Sequence, residues 1–311
     1  MHRAAALSSG PVPAETLPNL LLAGFPKTGT TSLFALLARH PDVGASSVKE
    51  TEYFLPVRYG ETLEPIDGYE RLFAGTERAV VRMEATPAYV YGGAPVIDAV
   101  RAALGRPKVL LTVREPVGRL RSYFRAQQAR LRIPETMTLE EYVARSAPLG
   151  ADALRDRAED PWIGVLGGLY ADFIPAWQEA FDVRLVAFED LTRRTGDVLA
   201  SLAPWLGLDP APFRGVELPH ENPSVMFKGR RLQAFALGFN NRLEPFLRRH
   251  PEFKTRLRSA YYRVNGRPMP KADWSLDPEV GAGYAEANAR LAAIWREIDP
   301  TTLAPWLEEA P

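Results

Sequence analysis

The stretch 20–37, LLLAGFPKTGTTSLFALL, constrains the fold more than any other part of the chain. Its first four residues are apolar and predict a short buried strand that ends at Gly24. A turn through Gly29 follows, and the apolar spacing after Thr30 predicts a helix with one buried face. A strand, a tight glycine-containing loop and a helix start together form an anion site, because the first N–H groups of a helix have no partner within it.

The same loop carries side chains that suit an anion. Lys27 supplies a positive charge, and the hydroxyls of Thr30, Thr31 and Ser32 add hydrogen-bond donors. The two glycines have the separation of a Walker A P-loop, G-x-x-x-x-G-K-[ST], but Thr30 stands where that motif needs lysine. The loop geometry is therefore kept, while the charge lies on the other side of the second glycine.

The segment 26–33, PKTGTTSL, resembles the 5′-phosphosulfate loop of sulfotransferases that use 3′-phosphoadenosine 5′-phosphosulfate (PAPS). This resemblance implies that PAPS is the cofactor and that adenosine 3′,5′-diphosphate (PAP) is the product. It also implies that the loop residues bind the cofactor, namely Lys27, Thr28, Gly29, Thr30, Thr31 and Ser32. Lys27 is in addition an implied catalytic residue. The alternative is an ordinary strand–turn–helix unit with a capped helix.

A charged cluster leads into aromatic residues at 49–54, KETEYF. In a doubly wound fold, the segment after the first helix returns across the carboxyl edge of the sheet, where ligands bind. A carboxylate there could accept the proton of an acceptor hydroxyl. The stretch resembles a Lys-Glu-x-x-x-Phe-like segment of the bacterial and heparan-sulfate sulfotransferases, which implies Glu50 as the general base. Glu52 is the alternative base, Lys49 and Glu52 are candidate acceptor contacts, and a plain solvated loop is the remaining interpretation.

The segment 84–89, EATPAY, resembles the Glu-Lys-Thr-Pro-x-Tyr segment of the same branch. Ala85 replaces the lysine of that pattern, and this departure leaves the acceptor type and the environment of the base open. Glu84 is either a carboxylate that contacts the acceptor or a buried hydrogen-bonding anchor, and the anchor is favoured.

The residues 108–113 form a nearly continuous apolar run and predict a central strand. Arg114 ends this strand, and Ser122 lies about two turns into the helix that follows. The pair resembles the 3′-phosphate site of the same sulfotransferases, which implies that both residues bind the cofactor. An ordinary ion-pair role for Arg114 is the alternative, and Arg119 and Arg121 are expected on the surface.

Later segments give shorter signals. The residues 133–163 form an insertion that either shapes an acceptor cleft or makes a surface excursion. His220 lies in a polar, proline-rich stretch and is a candidate acceptor contact. Gly266 and Arg267 resemble the late cofactor loop of the family, which implies contact with the 3′-phosphate.

Composition excludes several classes of protein. The chain has no cysteine, so disulfides, thiolate metal sites and a cysteine nucleophile are absent. A formal net charge of zero favours neither a nucleic acid nor an anionic membrane as partner. No signal peptide or membrane span is apparent, and no metal is required, so a soluble cytoplasmic enzyme is expected. We predict a flexible tail over 1–17 and a single domain over 18–311.

Strands predicted at 19–24, 79–83, 108–113 and 183–188 alternate with helices. This order predicts an α/β three-layer sandwich with a central, mainly parallel sheet, and the resemblance implies the P-loop-like sulfotransferase fold. The resulting hypothesis is transfer of the sulfuryl group of PAPS to a hydroxyl or amine of a small-molecule or carbohydrate acceptor. Neutral net charge and the departure at 85 favour a small acceptor over a long polyanionic polysaccharide. A P-loop kinase or NTPase and a non-catalytic nucleotide-binding protein are the alternatives.

Overall fold

The structure is a computed structural model that describes residues 16–218, 225–227, 266–268 and 278–308. Its centre is a five-stranded parallel sheet with the strand order β2-β3-β1-β4-β5. The strands are β1 (Leu20–Gly24), β2 (Val43–Ala45), β3 (Val81–Glu84), β4 (Lys108–Val113) and β5 (Val183–Ala187). A separate antiparallel pair joins β6 (Val225–Phe227) to β7 (Gly266–Pro268).

The first strand lies in the middle of the sheet, between β3 and β4. Leu20 aligns with Met83 on one side and with Lys108 on the other. After β1 the chain builds one half of the sheet, and from β4 it builds the other half. The strand order therefore reverses between β1 and β4, which is the point where open α/β sheets form a ligand-binding crevice beyond the carboxyl ends of the strands.

Helices cover both faces of the sheet. The α-helices up to residue 206 are α1 (Thr30–Leu37), α2 (Leu55–Arg58), α3 (Ile66–Glu70), α4 (Gly93–Leu104), α5 (Pro116–Ala129), α6 (Leu139–Ser146), α7 (Ile174–Ala180), α8 (Phe188–Arg193) and α9 (Thr195–Leu206). Near the C-terminus follow α10 (Pro278–Ala282), α11 (Ala285–Ile298) and α12 (Pro305–Glu308). Short 3-10 turns connect several of these elements.

Two apolar clusters form the core, one on each face of the sheet. Alternate residues of β1 point to opposite faces, so Leu21 and Ala23 join one cluster while Leu20 and Leu22 join the other. Residues of α4, α5, α7 and α11 pack in the first cluster. Residues of α1 and α9 pack in the second. Because both faces are covered, every residue of β1 is buried.

This architecture confirms the predicted three-layer α/β fold with a parallel sheet. The four predicted strands agree with β1, β3, β4 and β5 to within two residues at each end. The edge strand β2 was not predicted, because three residues containing a glycine give no usable hydrophobic period. No helix in the described part of the chain has the length and apolarity needed to cross a membrane.

Candidate active site

A buried threonine fixes the loop between β1 and α1 to the neighbouring strand β4. The Thr28 hydroxyl donates to the backbone oxygen of Phe25 at 2.6 Å and lies 2.5 Å from the hydroxyl of Thr112 on β4. Thr28 is fully buried, so its hydroxyl is turned away from the solvent. The side chain of Thr28 therefore ties the loop to the neighbouring strand, and the cofactor contact expected of this residue stays a prediction.

Gly29 caps the loop in a conformation that other residues rarely adopt. Its φ is 90°, and a Cβ there would lie 2.7 Å from the Phe188 ring. No side chain of the described residues caps α1, so the N–H groups of its first turn face the cavity in front of it. Thr30, Thr31 and Ser32 line that cavity together with Lys27. The structure therefore brings together the N–H groups, hydroxyls and charge that the sequence predicted for an anion site.

The cavity has a volume of about 980 Å³ and lies beyond the carboxyl ends of β1 and β4. Such a volume is at the upper end for small-molecule sites in proteins. It is lined by the β1–α1 loop, one face of α5, and parts of 50–59, 86–91 and 160–163. The segment 133–163 thus contributes Asp160 and Ile163 to the cavity wall, which supports the cleft interpretation of that insertion.

Lys27 is in an environment that weakens its proton affinity. It is open to the cavity, yet the surrounding protein removes enough water that desolvation lowers the pKa of its ammonium group. Arg130, Arg114 and Lys49 repel the charge and lower the pKa further, while Glu50 acts in the opposite direction. A bound anion would relieve this repulsion, so the site is electrostatically prepared for one.

Arg114 lies directly after the last residue of β4 and lines the same cavity as Lys27. Its backbone is held by the Tyr170 hydroxyl, which donates to the Arg114 oxygen at 2.7 Å and accepts from its N–H at 3.3 Å. The guanidinium carbon lies 4.4 Å from the centre of the Phe188 ring, the same ring that packs against Gly29. Phe188 therefore packs against both the loop and Arg114, a role that the sequence analysis did not assign to it.

Helix α5 follows Arg114, and a side-chain cap fixes its first turn. The Glu115 carboxylate accepts from the N–H groups of Val117 at 2.8 Å and Gly118 at 2.6 Å, which is a side-chain N-cap. Seven residues further on, Ser122 lines the cavity with Arg114. The predicted pair of cofactor ligands thus lies in one cavity with Lys27.

Glu50 and Glu52 both line the cavity, although they are two residues apart. Alternation along an extended segment would place them on opposite faces, but both have left-handed backbone conformations, with φ of 63° and 59°. The N–H of Glu50 donates to the Ala85 oxygen at 2.9 Å, and that of Glu52 donates to the Thr86 hydroxyl at 3.1 Å. Each left-handed residue costs about 1 kcal/mol or more, and such strain gathers at functional sites. Both carboxylates therefore remain candidate bases.

Lys49 is less available than expected. Its ammonium group lies 2.5 Å from a carboxylate oxygen of Glu50, and its side chain is 17% exposed. Lys49 does not line the cavity, whereas Glu50 does. The structure therefore places Lys49 beside Glu50, and its expected contact with the acceptor stays a prediction.

Glu84 is completely buried at the end of β3. The Tyr69 hydroxyl donates to one of its carboxylate oxygens, and the Thr86 hydroxyl donates to the other at 2.6 Å. Burial raises the pKa of this carboxyl group, and the hydrogen bonds to it act in the opposite direction. This placement agrees with the favoured anchor interpretation, because Glu84 holds the segment that carries Thr86 and, through it, Glu52.

We predict that Glu84→Ala lowers the free energy of unfolding by about 3 kcal/mol, because two buried hydroxyls lose their acceptor. Glu84→Gln should cost less, since its amide oxygen still accepts one hydrogen bond. Denaturant unfolding of both variants measures whether alanine lowers the free energy of unfolding more than glutamine does. If alanine costs less than 1 kcal/mol, the carboxylate is not an anchor.

Arg119 is a charged residue in the core, where the sequence analysis expected a surface position. It is fully buried, and it donates to the Gly164 oxygen and to the Tyr91 hydroxyl, each at 2.8 Å. The guanidinium also lies over the Tyr123 ring. Arg119 thus fixes α5 against the 163–168 segment and the rim of the cavity.

An ion pair that the sequence analysis missed closes one end of the cavity. Arg58 donates to the Asp160 carboxylate at 3.0 Å, and the Tyr59 hydroxyl donates to the same carboxylate at 2.8 Å. The two partners are 102 residues apart in sequence, so no local pattern joins them. The only local sign of this pair in the sequence was Arg58, a charged residue within the aromatic stretch that follows residue 53.

Three predicted site residues cannot be placed in this cavity. His220 lies outside the described residues. Gly266 and Arg267 belong to β7 by their backbone, and their contact with a cofactor stays a prediction. Within the described ranges, no group of three His, Cys, Asp or Glu side chains is arranged to hold a metal ion.

The family-level comparison agrees with this site. Residues 17–218 match the model of the sulfotransferase domain family. This match covers well over half of the chain, and it includes β1, the loop, α5 and both candidate bases. The chain belongs to the sulfotransferase domain family.

Individual relatives are more distant. The chain is 24% identical over 210 residues to bifunctional heparan sulfate N-deacetylase/N-sulfotransferase 1 of Caenorhabditis briggsae, an alignment over 64% of this chain and 24% of the relative. It is 27% identical over 190 residues to heparan sulfate glucosamine 3-O-sulfotransferase 3B1 of Homo sapiens, over 61% of this chain and 45% of the relative. The chain therefore spans less than half the length of these curated relatives.

The fold has a counterpart among solved structures. A sulfotransferase from Alicyclobacillus acidocaldarius superimposes with a TM-score of 0.56, at 24% sequence identity, over 74% of this chain and 95% of that chain. At this identity the similarity shows the fold, and the chemistry has to be argued from the site itself.

Proposed function

We propose that this chain transfers the sulfuryl group of PAPS to a hydroxyl or amino group of a carbohydrate or other small acceptor. The observation that carries the proposal is the convergence of Lys27, Arg114, Ser122 and Glu50 on one cavity in front of the α1 N-terminus. PAPS would supply an activated sulfuryl group at one end and a 3′-phosphate at the other. The family of the chain and the heparan sulfate names of its relatives support this reaction and a carbohydrate acceptor.

The residues of the cavity fit such a cofactor. The α1 N–H groups, the hydroxyls of 30–32 and Lys27 suit the phosphosulfate, because helix N-termini and cations bind anions. Arg114 and Ser122 suit the 3′-phosphate, since a guanidinium donates two hydrogen bonds in the plane that a phosphate accepts. Both groups line one cavity, as a ligand with anionic groups at two places would require.

The chemical roles follow from this placement. Glu50 accepts the proton of the acceptor hydroxyl as the oxygen attacks sulfur, and the bond from sulfur to the bridging oxygen breaks in line. Lys27 and the loop N–H groups stabilise the charge that develops on the bridging oxygen and on the transferring group. Lys49, held 2.5 Å from Glu50, positions the base.

The two alternatives lack specific support. A P-loop kinase needs a lysine directly after the second glycine, and Thr30 occupies that place. A non-catalytic nucleotide-binding protein would need no base, which a substitution of Glu50 can test.

The proposed reaction can be tested by following label from ³⁵S-PAPS into a panel of mono- and disaccharides with free hydroxyl or amino groups. We expect label in at least one acceptor, together with an equal amount of PAP. Transfer of the terminal phosphate of ATP with Mg²⁺ to the same panel, without use of PAPS, would contradict the proposal.

The lowered pKa of Lys27 makes cofactor binding depend on pH. Bound PAP favours the charged form of Lys27 and raises its pKa. Binding therefore takes up a proton at any pH above the pKa that Lys27 has in the protein without PAP. We therefore expect the PAP affinity to be flat near neutral pH and to fall up to tenfold per pH unit at higher pH. In Lys27→Arg the decline should shift to higher pH. Calorimetry between about pH 7 and about pH 10 measures both profiles, and identical profiles would refute this role of Lys27.

A further inference from the structure

The segment 50–54, which carries both candidate bases, is held by a regular set of hydrogen bonds. Three alternate N–H groups of this segment each donate to a residue of 85–89. They are those of Glu50 to the Ala85 oxygen at 2.9 Å, Glu52 to the Thr86 hydroxyl at 3.1 Å, and Phe54 to the Tyr89 hydroxyl at 3.1 Å. Two of the three acceptors are side-chain hydroxyls, so the conformation of 50–54 depends on particular side chains of its neighbour.

The backbone of 50–54 has a conformation that needs such contacts. Glu50 and Glu52 are both left-handed, with φ of 63° and 59°, and neither is glycine. This conformation is unfavourable for residues with a Cβ, and it persists only where the surrounding structure imposes it. Thr86 accepts the N–H of one of these two residues directly, so its hydroxyl is one of the contacts that impose the conformation.

Thr86 has a fixed position of its own. It is 2% exposed, and its backbone is extended, with φ of −122° and ψ of 93°. It precedes Pro87, whose ring disfavours the helical alternative, and its branched side chain has few rotamers. The fold therefore sets the place of the hydroxyl to which the Glu52 N–H donates.

Glu84 determines which way the hydroxyl of Thr86 makes its hydrogen bonds. A threonine hydroxyl has one proton, and Thr86 donates this proton to the buried Glu84 carboxylate at 2.6 Å. The lone pairs of the hydroxyl are left for the Glu52 N–H. Valine has the shape of threonine without the hydroxyl, so Thr86→Val would deprive both the carboxylate and the N–H of this partner.

We propose that Thr86 is a positioning residue for the catalytic base, through the hydrogen bond that its hydroxyl accepts from the Glu52 N–H. This inference rests on the proposed function, and it names a residue on which proton removal depends although that residue transfers no proton. It holds whichever carboxylate is the base, because the hydrogen bond fixes the segment that carries both. A displacement of about 1 Å can cost a reacting group about 100-fold in rate, so loss of the hydroxyl should affect catalysis more than cofactor binding.

The first measurement is steady-state transfer of label from ³⁵S-PAPS to the acceptor found in the sugar panel. We expect Thr86→Val to lower kcat about 10- to 100-fold and to leave the Kd of PAP within about twofold of the wild-type value. Thr86→Ser keeps the hydroxyl and should retain most of the wild-type kcat. Thr76→Val is the matched control and should retain the wild-type kcat, because the Thr76 hydroxyl donates to the Phe73 oxygen at 2.7 Å and Thr76 lies outside the cavity lining.

The second measurement needs no acceptor. Amide hydrogen exchange of the whole chain without ligand, read by mass spectrometry, reports on the segment 50–54 directly. We expect peptides that cover 50–54 to exchange about tenfold faster in Thr86→Val than in the wild type, in Thr86→Ser or in Thr76→Val. Peptides that cover β4 should exchange at the wild-type rate in all four proteins, which separates a local change from a general loss of stability.

Several outcomes would overturn the inference. If Thr86→Val keeps the wild-type kcat, its hydroxyl does not position the base. If kcat falls while exchange of 50–54 is unchanged, Thr86 acts through a direct contact in the cavity, which it lines. If PAP affinity falls as much as kcat, the hydroxyl supports the cofactor site instead. If the wild-type protein neither binds PAP nor transfers label, the proposed function itself fails, and the exchange measurement then decides separately whether Thr86 holds the segment.

Discussion

Replacing Lys27 by alanine should lower kcat for sulfuryl transfer by about 10²- to 10³-fold, a loss of about 3–4 kcal/mol of transition-state stabilisation. Lys27 lies in the cavity beside the open N-terminus of α1, where negative charge would develop on the leaving oxygen. The surrounding protein removes part of the water around its ammonium group and lowers its pKa, so its interaction with that charge is stronger than it would be in bulk water. The measurement is steady-state turnover of PAPS with saturating acceptor.

The split between binding and catalysis makes this prediction specific. A charge that acts mainly in the transition state should reduce kcat more than it reduces the affinity for PAPS. Lys27→Arg, which keeps the charge and changes its shape, should retain more activity than Lys27→Ala. A near-normal kcat in the alanine variant would remove Lys27 from the catalytic machinery.

Replacing Glu50 by glutamine should lower kcat by about 10²- to 10⁴-fold, the usual contribution of a general base. Glutamine keeps the size of the side chain and cannot accept the acceptor proton. The affinity for PAP should stay within about twofold, because Glu50 is assigned to the acceptor side of the cavity.

Glu52→Gln is the matched comparison, since Glu52 shares the cavity and the left-handed backbone of Glu50. We expect the larger fall in kcat from Glu50→Gln, measured in parallel at several pH values. A larger fall from Glu52→Gln would exchange the two assignments. If both variants keep the wild-type kcat, neither carboxylate is the general base.

Much of the fold was accessible from the sequence for a physical reason. The apolar runs at β1, β4 and β5 are uninterrupted because both faces of a parallel sheet are buried, and that pattern is easily read. The anion site at the β1–α1 loop was also predictable, since glycine, lysine and hydroxyl residues around the start of a helix are typical of anion binding. Lys27, Arg114 and Glu50 line one cavity, in agreement with the common site that the resemblance implies.

The errors concern charged residues whose partners are distant in sequence. Arg119 is buried, with hydroxyl and carbonyl partners up to 45 residues away, and no local pattern indicates this. Sequence reasoning places such residues on the surface, because unpaired charges are costly inside a protein. That Glu50 and Glu52 line the same cavity could not be predicted, since a left-handed φ in a residue other than glycine breaks the alternation of an extended segment.

The cavity-facing position of Arg121 was missed for another reason. A helix with arginine at many positions gives no clear polar face, and the wall that it forms depends on what packs around it. The periodicity shared by Arg121, Ser122 and Arg125 was present in the sequence, but its meaning required the position of α5 beside the loop.

The most direct test of the central claim is a calorimetric titration with PAP, compared with ATP and Mg²⁺, on wild-type protein and Arg114→Ala. We predict tight binding of PAP, weaker binding of ATP, and a loss of PAP affinity of about 10- to 100-fold in Arg114→Ala. Arg101→Ala, which removes an exposed arginine outside the cavity lining, should behave as wild type. A preference for ATP with Mg²⁺, or PAP binding that does not depend on Arg114, would contradict the assignment of this cavity to a PAPS-dependent sulfotransferase.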